Sequence, residues 1–133
     1  MNIYSNKSLS MKLERIEARA NAEFIHSRLK MIPESNAEWL DINGTYAMFD
    51  GKESPLTQTF GLGLFNELKI SDLETIENFY NKFSVPVFHE VSPLADLSHI
   101  QILCERGYQP IEMTSILYKP LSKERLKKAH NEY

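Results

Sequence analysis

The sequence has a single cysteine, Cys104, and no long apolar run among its 133 residues. One cysteine cannot form an internal disulfide, and the N-terminus lacks the apolar stretch of a signal peptide, so we expect a cytoplasmic protein. No segment is apolar enough to span a bilayer. The net charge is −3 and no long basic run with interleaved aromatic residues is present, which argues against nucleic-acid binding. A chain of this length can bury one core without a disulfide, and we predict no metal site.

The first thirty residues have helical periodicity. Apolar side chains recur at three- and four-residue spacing, which predicts a helix that begins at Ser8 or Ser10 and ends at Lys30. Pro33 pushes the residue before it out of the helical region, so the chain becomes extended there. The apolar stripe predicted to be buried consists of Leu13, Ile16, Ala20, Phe24 and Leu29.

Strand patterns follow this helix. Residues 39–42 and 45–49 are separated by Asn43-Gly44, the dipeptide that best tolerates the positive φ angles of a type I′ turn, so we predict a β-hairpin. A longer strand is predicted over residues 56–65. Its polar residues 57–59 interrupt a strand that should be buried, which could mark a surface shared with a second domain.

A helix, a central strand and a second helix are predicted next. Ser71 and Glu74 have capping-box spacing, which places the start of the first of these helices at Ser71. Residues 85–93, VPVFHEVSP, carry apolar groups at alternate positions of both faces, as in a strand covered on both sides. The second helix begins at Ser92-Pro93 or at Asp96, and Gly107 ends it as a left-handed cap.

The C-terminal part contains one further strand pattern, over residues 111–119. Residues 122–130 are polar with two weak apolar anchors and predict a marginal helix or a tail. The order of elements predicts an α/β fold with a mixed sheet. We expect one domain over residues 8–121 and a tail or linker over residues 122–133.

The chain resembles the GNAT acyltransferases at these elements. The run from Leu103 to Tyr108 has the Leu-x-x-x-Gly-aromatic form that typically closes their fourth helix before a strand. The phrases AMFDG, SPLTQTFGLGL and VFHEVSPLAD look like the N-terminal half of bacterial proteins built from two GNAT-like halves in tandem. The resemblance covers about residues 10–121 and implies a GNAT-like acyl-CoA N-acyltransferase fold with acetyl-CoA as the family's cofactor. That fold is incomplete here, because no strand pattern follows residue 119.

The cofactor loop of the family is missing. GNAT enzymes hold the pyrophosphate with a Gln/Arg-x-x-Gly-x-Gly/Ala loop at a helix N-terminus. The matching residues 66–70 contain no glycine, and Glu67 places a negative charge there. Leu103 stands where family members often have a tyrosine that acts as general acid, and Cys104 has no adjacent histidine, which favours a buried structural thiol. We therefore expect this chain alone to bind acetyl-CoA weakly or not at all.

Candidate site residues lie on the predicted central strand and on the strand before it. Glu90, or a water that it holds, could deprotonate an amine, with Ser92 as a hydrogen-bonding group. His89 shares its face with valines, which favours a core histidine. Gly61 and Gly63 leave one strand face nearly bare, either as a cleft wall for a ligand such as a pantetheine arm or as a surface on which a helix packs.

Two functions from different classes remain open. The chain is either the catalytically degenerate N-terminal half of a tandem N-acetyltransferase or a stand-alone, non-enzymatic binding module with the GNAT fold. The partner expected in the first case is a second GNAT-like domain, and a homodimer partner is the alternative. The missing strand leaves a gap beside residues 85–91, so either residues 111–119 pair with them directly or a strand from elsewhere completes the sheet.

Overall fold

The computed structural model describes residues 6–122, which form a mixed α/β arrangement. The regular elements are α1 Lys7–Met31, β1 Glu38–Ile42, β2 Thr45–Phe49, β3 Thr59–Phe60, α2 Ile70–Lys82 and α3 Leu97–Glu105, with a 3₁₀ turn at Pro33–Ser35 after α1. The strands form a three-stranded antiparallel sheet in the order β1-β2-β3. The predicted α/β class is confirmed.

Helix α1 has the predicted extent. The Asn6 side chain caps it by accepting the N–H of Leu9 at 2.8 Å, and the helix ends at Met31, ahead of Pro33. No helix within residues 6–122 is both long enough and apolar enough to cross a membrane.

The face that α1 buries differs from the predicted stripe. Its buried residues are Glu14, Ala18, Ala22 and Ile25. Ile16 and Phe24, which belong to the predicted stripe, are 58% and 49% exposed. The small alanines let the helix backbone approach the sheet closely, and the buried face also includes the carboxylate of Glu14.

The predicted hairpin is confirmed. Strands β1 and β2 pair over their full lengths, and the turn residues Asn43 and Gly44 both have positive φ angles, 51° and 89°. The Gly44 N–H donates to the carboxylate of Asp41 at 2.9 Å, which fixes the turn further.

Strand β3 is much shorter than the strand predicted over residues 56–65, and that prediction is wrong outside two residues. The chain turns at Gly61 and Gly63, whose φ angles of 76° and 66° lie in the left-handed region. The polar residues before the turn face inward, because Thr57 and Thr59 are buried and their hydroxyls bond to groups of the same chain. Thr57 and Thr59 therefore do not lie on the polar surface predicted for residues 57–59.

Residues 85–91 lie beside β3 but do not form the predicted central strand. They make one parallel bridge, between Thr59 and His89. The parallel direction agrees with the prediction. A full ladder does not form because the neighbouring strand has two residues and Pro86 has no N–H to donate.

Helix α2 begins at Ile70 instead of Ser71. The Asp72 carboxylate accepts the N–H of Lys69 at 3.0 Å, so Asp72 rather than Glu74 completes the first turn and the predicted capping box is wrong. The hydroxyl of Tyr80 at the other end of α2 is fully buried and bonds both backbone groups of Met48, which joins the helix to β2.

The last helix starts and ends at predicted residues. Asp96 caps α3 by accepting the N–H of Ser98 at 2.9 Å, and Gly107 has a φ angle of 88°. Residues 109–122 are exposed and form neither helix nor strand, so the predicted strand over residues 111–119 and its direct pairing with residues 85–91 are wrong. The predicted helix or tail at residues 122–130 lies outside the described residues from 123 onward.

Two apolar clusters lie on opposite faces of β2. Ala47 and Phe49 pack with α2, α3 and Leu62. Met48 points the other way and packs with α1 and Phe60. The sheet is thus covered by helices on both faces, and residues 85–91 lie along its β3 edge.

Candidate functional site

The parallel bridge places the two predicted base candidates on opposite faces of residues 85–91. The Thr59 N–H donates to the carbonyl of Phe88 at 2.9 Å, and the Glu90 N–H donates to the carbonyl of Thr59 at 3.1 Å. Because side chains alternate along an extended chain, His89 faces Tyr108, while Glu90 faces the carboxylates of α1. The two candidates therefore belong to different environments.

His89 is held within the protein. Its Nδ1 lies 2.8 Å from the hydroxyl of Thr59, and its ring contacts that of Tyr108 with centroids 4.7 Å apart. Burial lowers the pKa of His89 to about 4, so the ring is neutral at physiological pH. Its Nε2 is buried without a hydrogen-bond partner among the described residues. These contacts favour the interpretation of a core histidine over that of a catalytic base.

An ion pair lies near His89 and Tyr108. The Arg106 guanidinium donates two hydrogen bonds to Glu77, one of them from Nε at 3.0 Å, and the hydroxyl of Tyr108 donates to the same carboxylate at 3.0 Å. The bonds from Arg106 lower the pKa of Glu77, which stays ionised. Glu77, Arg106 and Tyr108 are thus bonded to one another.

The side of residues 85–91 that carries Glu90 is acidic, and we call it, together with Glu14 and Glu17 of α1, the acidic face. Glu14 of α1 is 6% exposed, and its Oε2 has no hydrogen-bond partner among the described residues. Burial, followed by the charges of Glu90 and Glu17, raises the pKa of Glu14 to about 7. Burial, followed by the charge of Glu17, also raises the pKa of Glu90. The structure thus brings carboxylates of α1 and of residues 85–91 together.

The nearest cation in sequence does not neutralise this cluster. The guanidinium of Arg15 donates to the carbonyl of Gly44 at 2.8 Å and lies over the rings of Tyr46 and Phe65, 4.3 and 3.8 Å from their centroids. It lowers the pKa of Glu14 only as the weakest of four influences. Glu14 is therefore a carboxyl group that can exchange a proton near neutral pH.

Ser92 lies beside the acidic face and joins it to α1. Its hydroxyl is 2.9 Å from that of Ser10, and it accepts the N–H of Leu94 at 3.2 Å. Ser92 is buried, and its hydroxyl is bonded within the protein to a residue of α1.

The place of the cofactor loop is filled by the protein itself. The N–H of Leu68 donates to Nε2 of His99 at 3.1 Å, and that of Lys69 donates to Asp72. The Asn43 side chain bonds the carbonyl of Glu67 at 3.1 Å and holds this loop against the hairpin turn. The amides of Leu68 and Lys69, just before α2, are therefore engaged within the protein.

The two glycines pack against side chains. A Cβ on Gly63 would lie 2.2 Å from Nδ1 of His99, a residue of α3, and one on Gly61 would lie 2.8 Å from the ring of Phe65. The helix-packing alternative is therefore confirmed for Gly63, and neither glycine lines an open cleft for a ligand.

Cys104 is exposed, so the prediction of a buried structural thiol is wrong. Its neighbour Leu103 is the buried residue of this turn of α3. Within residues 6–122 no group of histidine, cysteine and acidic side chains has the geometry to hold a metal ion.

A shallow groove of about 530 Å³ lies between α1 and the hairpin. The side chains of Trp39 and Tyr46 line it, with ring centroids 4.8 Å apart and ring planes tilted by 34°, beside exposed polar residues of α1. None of the buried unpartnered polar atoms of the described chain belongs to a lining residue, so the groove offers no chemistry comparable to that of the acidic face.

Sequence reasoning missed Glu14. The signal that could have found it is its spacing with Ala18, Ala22 and Ile25, a helix face of small residues suited to close packing. Comparisons with protein-family models, with curated proteins and with solved structures found no match to this chain.

Proposed function

We propose that this chain is a GNAT-like domain of the N-acetyltransferase type that does not bind acetyl-CoA itself and supports a coenzyme-binding half. The sequence phrases that resemble tandem GNAT proteins support this proposal, as does the parallel contact between β3 and residues 85–91. The observation that carries it is that the loop before α2 has no glycine and that its Leu68 and Lys69 amides are already bonded within the protein.

A pyrophosphate could use the amides of Leu68 and Lys69 only if both lost their present bonds. The carboxylate of Asp72 already accepts the amide of Lys69, and a phosphate would have to displace one negative group while lying near another, Glu67. The amide of Leu68 is buried with His99 and would also have to be released. Each exchanged bond gains little, whereas like charges at close range repel, so binding is unfavourable.

The acidic face gives the domain a role that needs no cofactor. Glu90 is half-buried, and Glu14 beside it has a pKa of about 7, which lets it hold or accept a proton under physiological conditions. Such a pair suits a wall of an acceptor site, where a protonated amine is bound and loses a proton before another half acylates it. The proposed roles are binding and deprotonation of the amine by Glu90 and Glu14.

Titration calorimetry with acetyl-CoA tests the absence of a cofactor site. We expect no saturable heat from the full chain at millimolar acetyl-CoA, with a complete GNAT enzyme as the positive control. A micromolar dissociation constant, about −8 kcal/mol, would show that the α2 terminus opens and would refute the proposal. The Asp72→Ala variant, which frees the amide of Lys69, is compared with the natural chain in the same titration.

The alternative function is a non-enzymatic binding module. It is favoured by the unpaired edge of residues 85–91 described below. Sequencing the coding region beyond Tyr133 separates the two functions: a downstream segment with a glycine-rich acetyl-CoA loop supports the tandem enzyme, and an immediate stop codon supports the module.

A further inference from the structure

Residues 85–91 have one unpaired backbone edge. The groups that face β3 are the carbonyl of Phe88 and the N–H of Glu90. In an extended chain, Val87, His89 and Val91 direct their backbone N–H and C=O groups to the opposite edge. No backbone hydrogen bond within residues 6–122 uses these groups. All three residues are half-buried, so this edge is a place where a further strand would satisfy donors and acceptors.

The same chain carries an unpaired segment with strand character. Residues 111–119, IEMTSILYK, contain apolar residues at positions of both faces, and none of the described hydrogen bonds involves them. Met113 and Leu117 are 97% and 93% exposed, and Ile111 is 76% exposed. Large apolar side chains this exposed within one short segment are typical of a surface that another molecule covers.

The segment does not return to its own edge. Tyr108 is fixed by its hydroxyl to Glu77 and by its N–H to the carbonyl of Leu103. Gln109 precedes Pro110, which favours an extended conformation, and the chain from there to residue 122 lies on the outside. Each copy therefore presents both an unpaired edge and an unpaired strand, and two copies can satisfy both at once.

We propose that residues 111–119 of one copy pair with the edge formed by Val87, His89 and Val91 of a second copy, and that the second copy does the same in return. This is an exchange with two-fold symmetry, so the assembly closes at a dimer and leaves no strand unpaired. Main-chain bonds give the contact its register, and Met113 and Leu117 are the apolar anchors. The inference does not depend on the proposed function, because it involves neither the α2 terminus nor the acidic face.

Light scattering on the purified full chain, from low to high micromolar concentration, measures the assembly. We expect twice the chain mass at high concentration. The double variant Met113→Lys, Leu117→Lys should raise the dimer dissociation constant at least about tenfold, a change of roughly 1.4 kcal/mol. The matched control is Met31→Lys, which also replaces an exposed methionine, 82% exposed, but lies at the end of α1; it should leave the dimer unchanged.

Hydrogen exchange identifies the surface. The amides of Val87, His89 and Val91 should be protected in the dimer and exchange at least about tenfold faster in the double variant, whose helices should keep their protection because its mutated side chains are exposed. A monomer at all concentrations would overturn the proposal, as would a dimer that the double variant leaves intact. A monomer with these three amides protected would mean that the segment folds back onto its own chain, which also overturns it.

Discussion

Replacement of Glu14 by glutamine should stabilise the protein, and by an amount that depends on pH. Glu14 is buried, and its pKa is raised from the ordinary 4.5 to about 7. Between pH 4.5 and about pH 7 the Glu14 carboxyl keeps its proton in the folded state and loses it in the unfolded state. Stability contributed by this group is therefore present below pH 4.5 and is lost as the pH rises towards 7. Glutamine keeps the shape and removes the ionisation.

The size of the effect follows from the pKa shift. One pKa unit corresponds to 1.36 kcal/mol, so the shift of Glu14 corresponds to at most about 3 kcal/mol. The Glu14→Gln variant should match the natural protein in free energy of unfolding at pH 4 and exceed it by up to that amount at pH 8. This amount already includes the repulsion between Glu14 and Glu90.

Urea unfolding at a series of pH values, followed by the fluorescence of the single tryptophan, Trp39, measures this difference. The matched control is Glu23→Gln, an exposed change on the same helix that should alter stability little at any pH. A stability gain that is the same at pH 4 and pH 8, or a loss at pH 8, would refute the reasoning that Glu14 is buried as an uncompensated acid.

Three further changes test other parts of the structure. Tyr80→Phe leaves both backbone groups of Met48 without their hydroxyl partner and should lower the free energy of unfolding by about 1–3 kcal/mol, measured by urea unfolding. Gly63→Ala drives a methyl group into the ring of His99 at a positive φ angle and should cost about 2 kcal/mol or more by the same measurement; an unchanged midpoint would contradict the packing described here. His89→Gln should remove an acid-side loss of stability, because a histidine whose pKa falls to about 4 destabilises the fold as the pH drops from 6.5 towards 4; pH titration of the melting temperature would show a flatter acid limb.

The sequence determined the local structure. Asn43-Gly44 can adopt the two positive φ angles of the tight turn, Asp96 can cap a helix, and Pro33 ends one, whatever the rest of the chain does. Each of these signals depends on the conformational preferences of one or two residues, so each was predictable and is confirmed.

The tertiary structure decided which surfaces meet. Helical periodicity located α1 correctly but not its buried face, since close approach to the sheet favours Ala18 and Ala22 over the larger Ile16 and Phe24. The predicted long strand failed because Gly63 turns to make room for His99 of α3, a contact between residues far apart in the chain.

The candidate site shows the same division. Glu90 and Ser92 were found from the sequence because they follow a strand-like pattern, but the acidic face exists only because α1 buries Glu14 against them. The sequence also indicated that residues 66–70 lack a phosphate-binding loop. Only the structure shows that the amide of Leu68 bonds to His99 and that the amide of Lys69 bonds to Asp72. Burial and long-range hydrogen bonds depend on how elements pack, and packing is a property of the whole chain that local preferences do not contain.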